Sequence, residues 1–354
     1  MLCTSTAMGQ KLTLNNGVIK LQVDLQSGGA ISYLSAASNS YNVVNVHDKG
    51  RYIQQSYYNG HRITRPGQHP QYSPWEWNPI QAGDVYGNIA QIVSSSVSGN
   101  QLYVKTRPKL WDMNNELCQC YFETWITLEG TAAKVKNKLT TFQTDNLWTP
   151  IPKHQEMPAV YTRGDLYKLY SYRGSSPWTN GGLSRITNPP PVNGNPVWEY
   201  WGTSERWAAL VNSNNWGVGV YNANSTTFLG GLSGSPGGGP TGTSTGYFSP
   251  YRTIQLSKNG SFEYEYYLIL GNLSTIRNFV YAKRGINPGG GSVSNSIKWE
   301  FNSGGNVEGW TRAGGANSIS QTGGTLRVTS TSADPQIRRT ISFNPRLYDF
   351  LKIR

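Results

Sequence analysis

Residues 19–34 read Ile-Lys-Leu-Gln-Val-Asp-Leu-Gln-Ser-Gly-Gly-Ala-Ile-Ser-Tyr-Leu, and their patterning sets the fold class. Over residues 19–25 apolar and polar side chains alternate, the period of an extended strand with one buried face. Gly28 and Gly29 supply a turn, and the apolar positions resume over residues 31–34, so the stretch predicts a hairpin or meander. Comparable strand signals recur at residues 52–57, 89–97, 102–106, 120–128, 133–141, 216–221, 253–256 and 262–270. One helix is predicted, at residues 274–283: Ser274 can cap it, Ile276, Phe279 and Val280 share a face, and Gly285 and Pro288 stop it. So many strands with one helix predict an all-β protein of large antiparallel sheets packed face to face.

Composition points the same way. Apolar residues make up only 37% of the 354, yet the chain holds 12 Trp and 22 Tyr, with 40 Gly and 19 Pro for turns and only 14% charged residues. That profile fits an extracellular all-β protein better than a helical cytosolic enzyme. Trp and Tyr offer flat apolar faces to the C–H groups of a sugar ring and polar edges to its hydroxyls. The formal charge of +12 is spread along the chain, without a basic run or a nucleic-acid-binding signature, so nucleic acid is not an expected partner. A cationic surface can also draw an acidic polysaccharide or an anionic cell wall. No apolar stretch is long enough to span a membrane, and none is preceded by the charged start of a leader peptide. The three cysteines, Cys3, Cys118 and Cys120, lack metal-ligand spacing, and no cofactor or metal is expected. Cys118 and Cys120 share one strand face and are expected as buried thiols, since a bond between residues two apart is strained.

Residues 288–293, Pro-Gly-Gly-Gly-Ser-Val, mark a linker. The expected organisation is a catalytic β domain over 1–287, a Gly-rich linker over 288–295 and a small β module over 296–354. The tail, through Trp299, Phe301, Gly309 and Trp310, resembles the first half of a carbohydrate-binding β-sandwich of the kind appended to polysaccharide-degrading enzymes. Further strands are expected there at residues 297–301, 326–329 and 337–341.

The densest chemistry lies at residues 154–161, His-Gln-Glu-Met-Pro-Ala-Val-Tyr. Pro158 lacks an N–H and holds Met157 extended, so Glu156 belongs on a strand end, with His154 projecting from the same side. His154 and Glu156 form a candidate acid/base pair; the bland alternative is a carboxylate salt-bridged to a nearby cation. Hydrolysis of a glycoside needs a second group. Glu205, beside Arg206 and Trp207, is the candidate partner, because an indole beside a carboxyl raises its pKa by desolvation. The alternative for Glu205 is an ordinary ion pair with Arg206, and Asp84 and Glu199 stand in reserve. Binding candidates are Arg51, Gln54, Gln55, Tyr58, Trp75, Trp77, Asn78, Gln81, Tyr161 and Trp207, which offer stacking faces and bidentate hydrogen-bonding groups. The alternative for Trp75 and Trp77 is that they plug their loop onto a sheet.

Residues 28–34, Gly-Gly-Ala-Ile-Ser-Tyr-Leu, and 50–58, Gly-Arg-Tyr-Ile-Gln-Gln-Ser-Tyr-Tyr, within a sheet-rich remainder, resemble the galactose-mutarotase-like β-supersandwich of carbohydrate-active proteins. The resemblance implies a large antiparallel β-supersandwich, joined here to a small C-terminal β-sandwich-like segment, with the ligand on the concave face of a sheet. It implies epimerase, glycoside hydrolase or polysaccharide lyase chemistry. His154 and Glu156 are the nearest match to the family's His and Glu pair, and their close spacing departs from its wide separation.

The reading that follows is a secreted glycoside hydrolase acting on a polysaccharide or oligosaccharide. A polysaccharide lyase is the alternative, drawing on the positive charge and on Tyr57, Tyr58, His61 and His69. A non-catalytic carbohydrate-binding protein would use the same aromatic residues.

Overall fold

The computed structural model describes residues 11–192, 197–285, 301 and 304–339. The chain forms two compact units, Met1–Val280 and Tyr281–Arg354. The first is built on two nine-stranded antiparallel sheets. The first sheet runs, from edge to edge, Lys11–Asn15, Ile19–Asp24, Ala30–Ala36, Ile53–Gln54, Ala159–Arg163, Thr245–Gln255, Thr227–Ser233 and Glu199–Gly202. Its ninth strand, Pro152–Glu156, pairs alongside Thr245–Gln255. The second sheet runs Ser184–Ile186, Lys168–Ser171, Trp207–Val211, Trp216–Tyr221, Asn259–Asn272, Ala132–Phe142, Cys120–Glu129, Gln101–Arg107 and Gln91–Ser98.

Strict alternation explains how these sheets meet. Along Cys120–Glu129 and Ala132–Phe142 every second residue is buried. The buried residues Phe122, Val135, Leu210 and Leu268 of the second sheet join Leu21, Val160 and Phe248 of the first in one core. At about 25 cal/mol per Å² of apolar surface removed from water, this layer is the main source of stability. Each sheet then has an outer face. The helix Leu273–Lys283 covers part of the second sheet's, where Ile276 and Val280 pack on Trp207, Ala209, Tyr221 and Ile269. The outer face of the first sheet carries the aromatic groups described below.

The predicted strands at 19–25, 89–97, 102–106, 120–128, 133–141, 216–221 and 262–270 form with small shifts of boundary. Three expectations are corrected. The strand expected at 52–57 shrinks to Ile53–Gln54: Tyr52 adopts a positive φ of 71°, and the side-chain amides of Gln54 and Gln55 donate to Lys49 O and to Glu123 O of the second sheet. The helix is capped by Asn272, whose Oδ1 accepts from the Thr275 amide at 2.8 Å, and not by Ser274. Cys118 and Cys120 are joined by a disulfide instead of standing as thiols.

In the second unit, Ala316–Thr322 pairs with Thr325–Ser330 and Thr311–Arg312 with Ile337–Arg338, two short antiparallel pairs. The linker expected at 288–295, and Trp299 with most of the strand expected at 297–301, lie outside the described residues. Among the described residues no helix is long and apolar enough to cross a membrane.

Candidate active site

Glu156 ends the strand Pro152–Glu156, in register with Tyr251 across the sheet, and His154 is in register with Thr253. Because side chains alternate, His154 and Glu156 both point to the outer face while Gln155 turns inward and is fully buried. The strand stops there because Pro158 cannot donate to a ladder; the Met157–Pro158 peptide is cis, and the Met157 amide is spent on Pro250 O. Gln155 locks the adjoining loop, its Oε1 accepting from the Tyr58 amide at 3.0 Å and its Nε2 donating to Tyr58 O at 2.7 Å. That brings Tyr58 to Glu156.

The Glu156 carboxyl is held by phenols. Tyr58 Oη donates to Oε2 at 3.4 Å, and Tyr247 Oη donates to Oε1. Burial pushes the Glu156 carboxyl above the usual carboxylate range, and the hydrogen bonds from Tyr247, Ser56 and Tyr58 draw it part of the way back. Tyr58 and Tyr247 are themselves pushed well above 10, by burial first and by the neighbouring carboxylate second, so both stay protonated donors.

Around this carboxyl lies a layer of rings. Tyr161 and Trp198 pack on Tyr247 with centroids 4.6 and 4.8 Å away. Ala159 and Leu229 complete the apolar floor. On the other side His154 packs on Tyr251 at 4.6 Å, and Tyr200, 51% exposed, meets Tyr251 at 5.6 Å. His154 is exposed, and its Nδ1 bonds Thr253 Oγ1 at 2.8 Å. The arrangement can move protons at a bound oxygen: a carboxyl biased towards its protonated form, an imidazole on the same face, and stacking surfaces about them.

The structure brings together Glu156, His154, Tyr58 and Tyr161 of the residues singled out from sequence. The others fall elsewhere. Glu205 is fully buried, with Arg277 Nη2 2.8 Å from Oε1, Arg277 Nε 3.1 Å and Trp207 Nε1 2.9 Å from Oε2, and the Trp178 amide 3.0 Å from Oε1. With Trp207 it lies beneath the helix, on the second sheet's side of the sandwich, so neither serves the Glu156 site. The carboxyl next to an indole, read as a tuned acid, is one end of a buried ion pair.

Gln54, Gln55, Trp77, Asn78 and Gln81 are also buried and are corrected from ligand-binding to loop-holding roles. Gln54 Oε1 accepts from the Ala82 amide at 2.8 Å, Gln55 Nε2 reaches Thr124 Oγ1 at 2.8 Å, and Gln81 joins the Gln55 amide to Gly28 O. Asn78 Nδ2 holds Tyr57 O at 2.9 Å, and Trp77 is a core residue. Trp75 is half-buried, its Nε1 on Asn78 Oδ1 and the Arg62 guanidinium 4.8 Å over its ring. Arg51 pairs with Asp48 at 3.2 Å and donates to Gly242 O and Thr243 O. Of the reserves, Asp84 is buried and caps turns through four donors, while Glu199 is half-buried on the edge strand. Of the lyase set, Tyr57 is in the core, His69 caps the short turn Pro70–Tyr72, and His61 is exposed on Asn59–Ile63.

Tyr247, Tyr251, Trp198 and Tyr200 complete the site without being among the sequence candidates. Pro250 breaks the strand signal in the middle of Thr245–Gln255, yet the spacing of Tyr247, Tyr251 and Thr253 at even intervals marks one face of an extended chain. Among the described residues no cluster of three or more His, Cys, Asp or Glu side chains is placed to hold a metal ion.

No family model and no curated protein matches the sequence. Among solved structures the chain is similar to a galactose mutarotase related enzyme from Lactobacillus acidophilus, at 10% identity and a TM-score of 0.45, over 74% of this chain and 97% of that one. It is similar to a galactose mutarotase-like protein from Clostridium acetobutylicum, at 9% identity and a TM-score of 0.41, over 75% of this chain and 96% of that one. An α-galactosidase from Geobacillus stearothermophilus is matched at 11% identity and a TM-score of 0.40, over 78% of this chain and 42% of that one.

Proposed function

We propose that this chain is a secreted carbohydrate-active enzyme, a glycoside hydrolase in which Glu156 is the general acid and His154 the base. The observation that carries the reading is a single carboxyl, held by Tyr58 and Tyr247, on an aromatic sheet face that reaches solvent at His154 and Tyr200. Burial keeps that carboxyl protonated to higher pH than an exposed one, as a proton donor to a leaving oxygen requires. In the proposed step Glu156 gives its proton to the glycosidic oxygen as the bond to the anomeric carbon breaks. Water attacks that carbon and passes a proton to His154, and exchange with solvent resets both groups.

His154 and Glu156 project from one face of the strand, with Cα atoms about 6.7 Å apart. His154 thus takes the place expected of Glu205. Extracellular location belongs to the same proposal and rests on composition.

The test is a panel of neutral and acidic polysaccharides and oligosaccharides, assayed for new reducing ends with the native chain and with Glu156→Gln. New ends that vanish in the variant support the proposal. A product absorbing as an unsaturated uronide would instead make the protein a lyase, and binding without product a lectin-like module.

A further inference from the structure

We infer that the site takes a neutral oligosaccharide laid across Glu156, with a sugar-binding platform on each side of the carboxyl. This deepens the proposed function and rests on it. Two separate sets of rings share the outer face of the first sheet. Tyr161 and Trp198 pack on Tyr247, and His154 and Tyr200 pack on Tyr251. Tyr247 and Tyr251, on which the two sets are built, are four residues apart on one extended strand, about 13 Å, longer than one pyranose ring; Tyr247 itself is buried, so Tyr161 and Trp198 present the surface of its set.

Glu156 lies between the two sets. It is in register with Tyr251 and accepts a hydrogen bond from Tyr247. A monosaccharide stacked on either set would leave the other bare, and only a chain of two or more sugars reaches both. The linkage between its units would then fall over the carboxyl, where a general acid must meet the glycosidic oxygen. Rings cost little side-chain entropy when they stack on a sugar, so each platform adds affinity without much reorganisation.

Charge gives the substrate class. Two cations beside Tyr161 on this face are already paired, Arg51 with Asp48 and Arg163 with Asp165. A uronate placed here would have to break one of these pairs to be neutralised, whereas a neutral sugar needs only stacking and hydroxyl contacts. The overall charge of +12 can still draw the chain to an anionic surface without entering this recognition.

The experiment titrates full-length Glu156→Gln, which binds without turnover, with cello-, xylo- and malto-oligosaccharides of one to six units by calorimetry, and with oligogalacturonides of matching length. In at least one neutral series the Kd should fall tenfold or more between the monosaccharide and the tetrasaccharide. Adding Tyr200→Ala, a half-exposed position, or Trp198→Ala should remove most of that gain while the melting temperature holds. No gain with length in any neutral series overturns the two platforms, and a tenfold preference for oligogalacturonides overturns the neutral class. Normal turnover by Glu156→Gln would overturn the underlying assignment of the acid instead, so the two failures are told apart.

Discussion

Arg277 Nη2 lies 2.8 Å from Glu205 Oε1, with both side chains almost wholly withdrawn from solvent, between the second sheet and the helix that covers it. Burying two charges is repaid only when every donor and acceptor finds a partner, and here Trp207 and the Trp178 amide supply further hydrogen bonds to the same carboxylate. Glu205→Gln leaves the guanidinium buried without its counter-charge. The expected cost is about 3–5 kcal/mol of stability, measured by denaturant unfolding, with turnover per folded molecule unchanged. Turnover lost at full stability would return Glu205 to the catalytic list.

Trp75 and Trp77 separate on the same grounds. Trp77 belongs to the core, and Trp77→Ala should cost about 3–5 kcal/mol. Trp75 is half-buried, with Arg62 across its ring and its Nε1 on Asn78, and Trp75→Ala should cost much less. Melting temperatures of the two variants check the order. Equal losses would mean that both plug the loop.

How much of this was legible beforehand follows from the physics of each signal. Alternation at residues 120–128 and 133–141 fixed both strands, because a period of two has one meaning when one face is buried. His154, Glu156 and Tyr161 are legible because Pro158 places a strand end next to titratable groups, and Tyr58 because it closes the aromatic-rich stretch 50–58. Glu205 and Gln81 were misread because a polar side chain beside aromatics looks alike in sequence whether it meets a ligand or a buried partner. Only the fold decides, by sending Arg277 to one and the Gln55 amide to the other. Tyr247 and Tyr251 stayed hidden because Pro250 interrupts the strand pattern between them, and the pairing that tolerates it is long-range.

The raised carboxyl of Glu156 makes a stability prediction with a definite sign. Its folded pKa lies above the unfolded value, so the folded state holds the proton more tightly. The contribution to stability is fully present below the unfolded pKa, near 4.5, and is lost as pH rises through the folded one. Glu156→Gln cannot titrate, so wild type should lose stability relative to the variant as pH rises through that window, read as the difference in their unfolding free energies. A difference that is flat with pH would place the carboxyl in an ordinary solvated setting.

Tyr247 offers the sharpest test of how the carboxyl is tuned. Its phenol donates to Glu156 Oε1, and a donor of that kind favours the charged form of a carboxyl. Tyr247→Phe keeps the ring that carries Tyr161 and Trp198 while deleting the donor, so the stacking surface persists and only the proton affinity of Glu156 changes. A hydrogen bond to a charged group is worth about 1.5–3 kcal/mol, or about one to two pH units. If Glu156 is the general acid, the rate falls as pH rises through its pKa, and in Tyr247→Phe this alkaline limb of kcat/KM should move up by that amount. A fall in rate at every pH with the limb unmoved would mean that Tyr247 supports the fold of the face and that another group donates the proton.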